Sequence, residues 1–117
     1  MKMNTNTNKI VVLWTSGDPE VAEKVCLMYT EAAKKNSWFE QVVLVVWGPS
    51  AKLLSENPML QTKIKAMQEL GVQVEACKRC TDTYGVTAQF EKMNIDVKGM
   101  GEELSDYLKD GWHSLSF

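Results

Sequence analysis

Two segments of the chain are unbroken apolar runs and a third alternates, with stretches of helical spacing between them. Ile10-Val11-Val12-Leu13-Trp14 and Val42-Val43-Leu44-Val45-Val46-Trp47 are β-branched and apolar throughout, as in strands buried on both faces of a parallel sheet. In the third run Val72, Val74 and Ala76 share one face, while Gln73, Glu75 and Cys77 share a more polar one, the two-residue period of a strand. Cys77 therefore leaves this strand on its polar side. Ile95-Asp96-Val97 reads as a short fourth strand, and Trp112 to Phe117 as a last strand suited to an edge or an interface.

Local signals place helices between these runs. After the first run, Asp18 is an N-cap, Pro19 fits the first helical turn, and Glu20 complements the positive helix end. The helix that follows puts Ala22, Val25, Cys26, Tyr29, Ala32 and Ala33 on its buried stripe and ends near Asn36. Gly48-Pro49-Ser50 is a break followed by another cap. Asn57-Pro58 interrupts the next helical segments, whose Leu60, Ile64, Met67 and Leu70 face inward before Gly71 closes them. Residues 78–93 are helical with a break at Gly85, and Gly99-Met100-Gly101 turns into a helix from Glu102 to Lys109. The alternation of strand and helix predicts an α/β fold, a three-layer α/β/α sandwich on a five-stranded, mostly parallel sheet. Residues 9–117 form its single domain after a flexible tail over residues 1–8.

Composition narrows what such a domain does. At 117 residues and 44% hydrophobic the chain suits one core. Its net charge of -2, from 13 basic and 15 acidic residues, gives no footprint for nucleic acid or an anionic membrane. A small molecule or a protein is the expected partner. The apolar runs are too short to span a bilayer and the first eight residues lack the apolar core of a secretory signal, which points to the cytoplasm. Three cysteines, an odd number, fit reduced thiols better than a disulfide framework.

Ligands of open parallel sheets gather beyond the carboxyl ends of the strands. That rim takes in Thr15 to Asp18, Gly48 to Ser50, Cys77, and Gly99 to Gly101. Cys77 is its strong nucleophile: Lys78, Arg79 and the start of a helix all favour a thiolate there. Cys80 completes a CxxC, and the rim as a whole, with Thr15-Ser16-Gly17 after a strand and Gly99-Met100-Gly101 opening a helix, offers three chemistries besides sulfur carriage. A dithiol redox pair is one, although thioredoxin-like motifs follow an earlier strand and Lys78-Arg79 fill the gap here. A metal held by Cys77, Cys80 and His113 is another; three ligands leave it one short, so no resident metal is expected unless a subunit interface completes the set. A phosphate site is the third, but no complete glycine-rich motif is present, and Asp18, Glu20, Glu102 and Glu103 would repel an anion. No cofactor is expected. Cys26 lies on an apolar helical stripe and reads as core, His113 reads as an exposed strand residue, and Trp14, Trp47 and Trp112 stand at strand ends as core, pocket wall or interface.

The whole pattern resembles the DsrE-like (DsrE/DsrF, YchN-like) proteins. The resemblance runs from Lys9 through Thr15-Ser16-Gly17, the Trp47-Gly48-Pro49-Ser50 corner, Gly71-Val72, Ala76-Cys77-Lys78-Arg79-Cys80, Tyr84-Gly85-Val86 and the closing Leu115-Ser116-Phe117. Its most specific element is Cys77 followed several residues later by Gly85. It implies a small α/β domain that assembles into trimers, hexamers or mixed oligomers, some members relaying sulfur as a persulfide on the matching cysteine. By resemblance Cys77 is that acceptor; Cys80 is a departure from the relay subunits, and either resolves the persulfide by forming a disulfide with Cys77 or has no chemical role. The extra Cys80 and the Trp47-Gly48-Pro49 corner look closer to the stand-alone, uncharacterised branch. The expectation is therefore a homo-oligomeric sulfur-handling protein, a sulfurtransferase or carrier with a sulfur-donor or acceptor protein as partner. The alternatives are a non-catalytic oligomeric small-molecule-binding module and a Cys77/Cys80 dithiol redox protein. A persulfide acceptor requires a thiolate, a partly open pocket and no strong disulfide partner that would always trap it.

Overall fold

Every neighbouring strand pair in the sheet is parallel, so each strand is reached by a crossover and all five carboxyl ends point to one rim. In the computed structural model, which describes residues 8–117, the strands are β1 (Lys9–Trp14), β2 (Gln41–Val46), β3 (Gln73–Cys77), β4 (Asp96–Lys98) and β5 (His113–Ser116). Their order is β4-β3-β2-β1-β5. The expected sheet is present and is parallel throughout, with β5 at one edge beside β1. The tail expected over residues 1–8 lies outside the described residues except for Asn8. That residue is tied in: its carbonyl accepts from the Glu40 and Gln41 N–H groups at 2.7 and 3.2 Å.

The helices are α1 (Pro19–Val21), a π-helical turn (Ala22–Cys26), α2 (Leu27–Lys35), α3 (Pro49–Glu56), α4 (Pro58–Leu70), α5 (Lys78–Tyr84), α6 (Thr87–Lys92) and α7 (Met100–Lys109). Asp18 caps α1 by accepting from the Glu20 and Val21 N–H groups at 2.8 and 3.4 Å, with Pro19 at the first helical position. Gly71 and Gly85 end α4 and α5 in the left-handed region, at φ 107° and 72°, where only glycine is free of strain. Among the described residues no helix is long and apolar enough to cross a membrane.

Two expected core positions are corrected. Val25 is 46% exposed, while Leu27 and Thr30 are buried. The cause is the π-helical turn, whose extra residue per turn shifts the phase of everything after it. Leu70 is 41% exposed because it is the last residue of α4, where the buried stripe of Leu60, Ile64 and Met67 has already rotated past it. Ser50 is not a cap either. Gly48 occupies that position, and Ser50 lies buried inside α3, its Oγ donating to the Trp14 carbonyl at 2.5 Å.

The three layers are unequal. One face of the sheet carries Ile10, Val12, Trp14, Leu44, Val46 and Ala76 against residues of the π turn, α2, α3, α4 and α6. The opposite face carries Val11, Val43, Val45 and Cys77, and the helix laid against it is α7, through Met100, Leu104 and Tyr107. Cys77 therefore belongs to the thinner side of the molecule.

Candidate functional site: a thiol pair at the end of β3

Cys77 is the last residue of β3 and the N-cap of α5, with extended backbone and no side-chain capping bond. Strand alternation turns it to the α7 face together with Glu75. That face is not open as the polar pattern of β3 implies: Cys77 is 6% exposed and belongs to the apolar cluster that also holds Val45 and Met100. The partly open surroundings expected of the thiol are absent from the single chain, because α7 and Trp47 cover this end of the strand.

Cys80 lies three residues on, and in the first turn of a helix that spacing places two side chains on one side. Cys77 is part of the buried cluster on the α7 face and Cys80 packs against that cluster, which brings both thiols to the same end of β3. Cys80 is the half-buried member, and its Sγ also accepts the Gly48 N–H at 3.3 Å. Gly48 stands at φ 77°, ψ -138°, a conformation open essentially to glycine alone. The β2–α3 corner thus donates an N–H to the second thiol of the CxxC. Burial and then Cys77 raise the Cys80 pKa above its ordinary value, outweighing the opposite pull of the Gly48 N–H and the Arg79 charge.

Of the two cations that flank the motif in sequence, Lys78 is engaged elsewhere. Its Nζ meets Asp82 Oδ2 at 2.7 Å on the outside of α5. That bond raises the Lys78 pKa and lowers that of Asp82.

Beneath α7, next to Cys77 on the same face, lies a polar network that the sequence reading missed. Glu75 is 0% exposed. The Tyr107 hydroxyl lies 2.9 Å from each of its carboxylate oxygens, Lys98 Nζ is 3.0 Å from Oε2, and Gln73 donates to Oε2 at 2.7 Å. Lys98 also meets Asp96 and Glu103, each at 2.9 Å. Burial works against the Lys98 charge, but the three carboxylates outweigh it and its pKa is raised. Burial and then Glu75 raise the Tyr107 pKa. Lys98 is the register partner of Cys77 across β3 and β4. The available signal was Glu75 itself: a carboxylate between two apolar strand positions must find a partner if its face is covered.

The other candidates do not converge on the thiols. His113 sits at the amino end of β5, paired with Ile10 and 5.7 Å from the Phe39 ring, so it stands at the far end of a different strand. Among the described residues no group of three or more His, Cys, Asp or Glu side chains is placed to hold a metal. Cys26 is core, as its stripe indicates, and burial pushes its thiol up to about 12. Trp14 is fully buried with no partner for its indole N–H, whereas Trp47 and Trp112 are half-buried on the α7 face.

The first rim loop is closed as an anion site. The Thr15 and Ser16 N–H groups both donate to the Phe117 carbonyl, at 2.7 and 3.1 Å, and the Ser50 N–H donates to the Thr15 carbonyl at 3.1 Å. A Cβ on Gly17 would sit 3.2 Å from that of Pro49, so the two loops pack directly. A cleft of about 390 Å³ lies instead at the amino ends of β3 and β4, lined by Val72, Gln73 and Asp96. It takes in neither thiol.

Comparison with known proteins agrees with this architecture. A conserved protein of unknown function from Bacteroides thetaiotaomicron, BT1422, superposes with a TM-score of 0.92 at 32% identity, covering 100% of both chains. The ychN protein from E. coli gives a TM-score of 0.75 at 16% identity over 95% of this chain and 100% of its own. MTH1491 from Methanobacterium thermoautotrophicum, also of unknown function, gives 0.73 at 14% identity over 93% and 98%. No curated protein matches the sequence. The sequence profile of the DsrE/DsrF-like family matches residues 8–117, and the chain belongs to that family.

Proposed function

We propose that this protein handles sulfane sulfur, with Cys77 as the persulfide-forming acceptor. The observation that carries the reading is the placement of two free thiols, Cys77 and Cys80, in one cluster at the carboxyl end of β3, in a chain of a family associated with sulfur relay. In the loading step the Cys77 thiolate attacks the outer sulfur of a donor persulfide. The new bond is Cys77 Sγ–S, the donor leaves as a thiolate, and no net electrons are exchanged. A protein donor and a protein acceptor are the partners this chemistry calls for, in the cytoplasm, where thiols stay reduced.

The reading includes a homo-oligomer, a trimer or a hexamer. Val25 of the π-helical turn, Met28 of α2 and Trp38 beyond the end of α2 are exposed around one groove, and edge strand β5 exposes Leu115, apolar surface of the kind copies bury against one another. Light scattering tests this part, and a monomer overturns it. Sulfur loading is tested by incubation with a cysteine desulfurase and cysteine, followed by mass spectrometry of wild type and Cys77→Ser. Sulfur delivered through Cys77 is the expected result. A folded wild type that takes up no sulfur and forms no disulfide sinks the proposal.

A further inference from the structure

We infer that Cys80 is the resolving thiol of the pair, discharging the sulfur on Cys77 as hydrosulfide and leaving a Cys77–Cys80 disulfide. This rests on Cys77 being the acceptor, and it names the product of the site.

Three observations carry it. Cys77 caps α5 and Cys80 lies in its first turn, both in one cluster on the α7 face, so a sulfur bound on Cys77 forms beside Cys80. The Gly48 N–H, 3.3 Å from Cys80 Sγ, holds that sulfur in place and partly offsets the burial that raises its pKa, since a bond to an anion is about twice as strong as one between neutral groups. Finally, Cys77 is 6% exposed within the apolar cluster under α7 while Cys80 is half-buried and outermost. An external acceptor must displace that packing to reach Cys77; Cys80 needs no displacement.

The step balances. The Cys80 thiolate attacks Cys77 Sγ, the Cys77–Cys80 bond forms, the bond from Cys77 Sγ to the outer sulfur breaks, and that sulfur leaves as HS⁻ with the electron pair. The two cysteines are oxidised and the sulfane sulfur is reduced. An external dithiol then reduces the disulfide by exchange and restores both thiols. Transfer to a protein acceptor competes with this internal exit.

The test treats the reduced full-length protein with inorganic tetrasulfide, removes the excess, and reads intact and peptide masses for wild type, Cys77→Ser and Cys80→Ser. Cys80→Ser is expected to hold a persulfide on Cys77, about 32 Da heavier. Wild type is expected to lose that adduct and carry the Cys77–Cys80 disulfide, and Cys77→Ser to carry neither. If wild type and Cys80→Ser retain the adduct equally, the resolving role is overturned and the acceptor role stands. If the wild type forms the disulfide but Cys80→Ser takes up no sulfur, the order of attack is wrong and the inference falls. If neither protein gains sulfur or a disulfide, the acceptor role fails with it. Circular dichroism checks folding, and Cys80→Ala repeats the measurement should the serine variant unfold.

Discussion

The Tyr107 hydroxyl lies 2.9 Å from both carboxylate oxygens of the fully buried Glu75, fastening α7 to the sheet face that contains Cys77. Tyr107→Phe keeps the ring and removes the donor. It should cost about 1–3 kcal/mol, the penalty for leaving a buried acceptor short of a partner. Lys98→Met strands the same carboxylate without its cation and should cost more, about 3–5 kcal/mol. Urea unfolding of the two variants checks the order.

Stability should fall at alkaline pH, and the sign follows from three groups. Burial raises Cys26 from its ordinary 9.0 to about 12. Its contribution is therefore complete below pH 9 and is lost as pH rises from about 9 towards 12, because the unfolded chain gives up that proton first. Tyr107 and Lys98 are raised above their ordinary 10.0 and 10.5, so they add to the decline from about pH 10 upward. Cys26→Ala and Tyr107→Phe should each flatten the fall in urea midpoint between pH 8 and about 11 relative to wild type. An unchanged slope in both would contradict the assignment.

Burial orders the thiols for alkylation. Cys80 is half-buried, Cys77 nearly covered and Cys26 at 0% exposure with its thiol pushed up to about 12. Iodoacetamide under native conditions should modify Cys80 first and Cys26 last, as timed peptide mass spectrometry would show.

Two rim glycines separate conformation from space. No atom lies within 4 Å of a Cβ added at either Gly48 or Gly99, but Gly48 stands at φ 77° and Gly99 at φ -65°. Gly48→Ala should cost about 1–3 kcal/mol from backbone strain alone. Gly99→Ala should stay within about 0.5 kcal/mol of wild type. Thermal unfolding of the pair is the comparison.

What was readable in advance follows the range of the interactions. The apolar runs of β1 and β2, the Asp18-Pro19 helix start, the Asn57-Pro58 interruption and the Gly71 and Gly85 stops are all legible in the chain. Each is set by residues within about four positions, the reach of a cap or a strand period. The π-helical turn is local as well, yet it left no pattern in the sequence, so Val25 was placed on the wrong face.

By itself the sequence determined the parallel α/β architecture and put a CxxC at the carboxyl end of the third strand, because alternation and capping are short-range. Only the tertiary structure decided what surrounds that motif. Which face of β3 is buried depends on where α7 lands. Glu75 meets Tyr107 across 32 residues, Cys80 meets Gly48 across 32, and Thr15 meets Phe117 across 102. No local period encodes such pairings, and they turned an apparently open, cation-flanked cysteine into a covered thiol whose nearest reactive neighbour is Cys80.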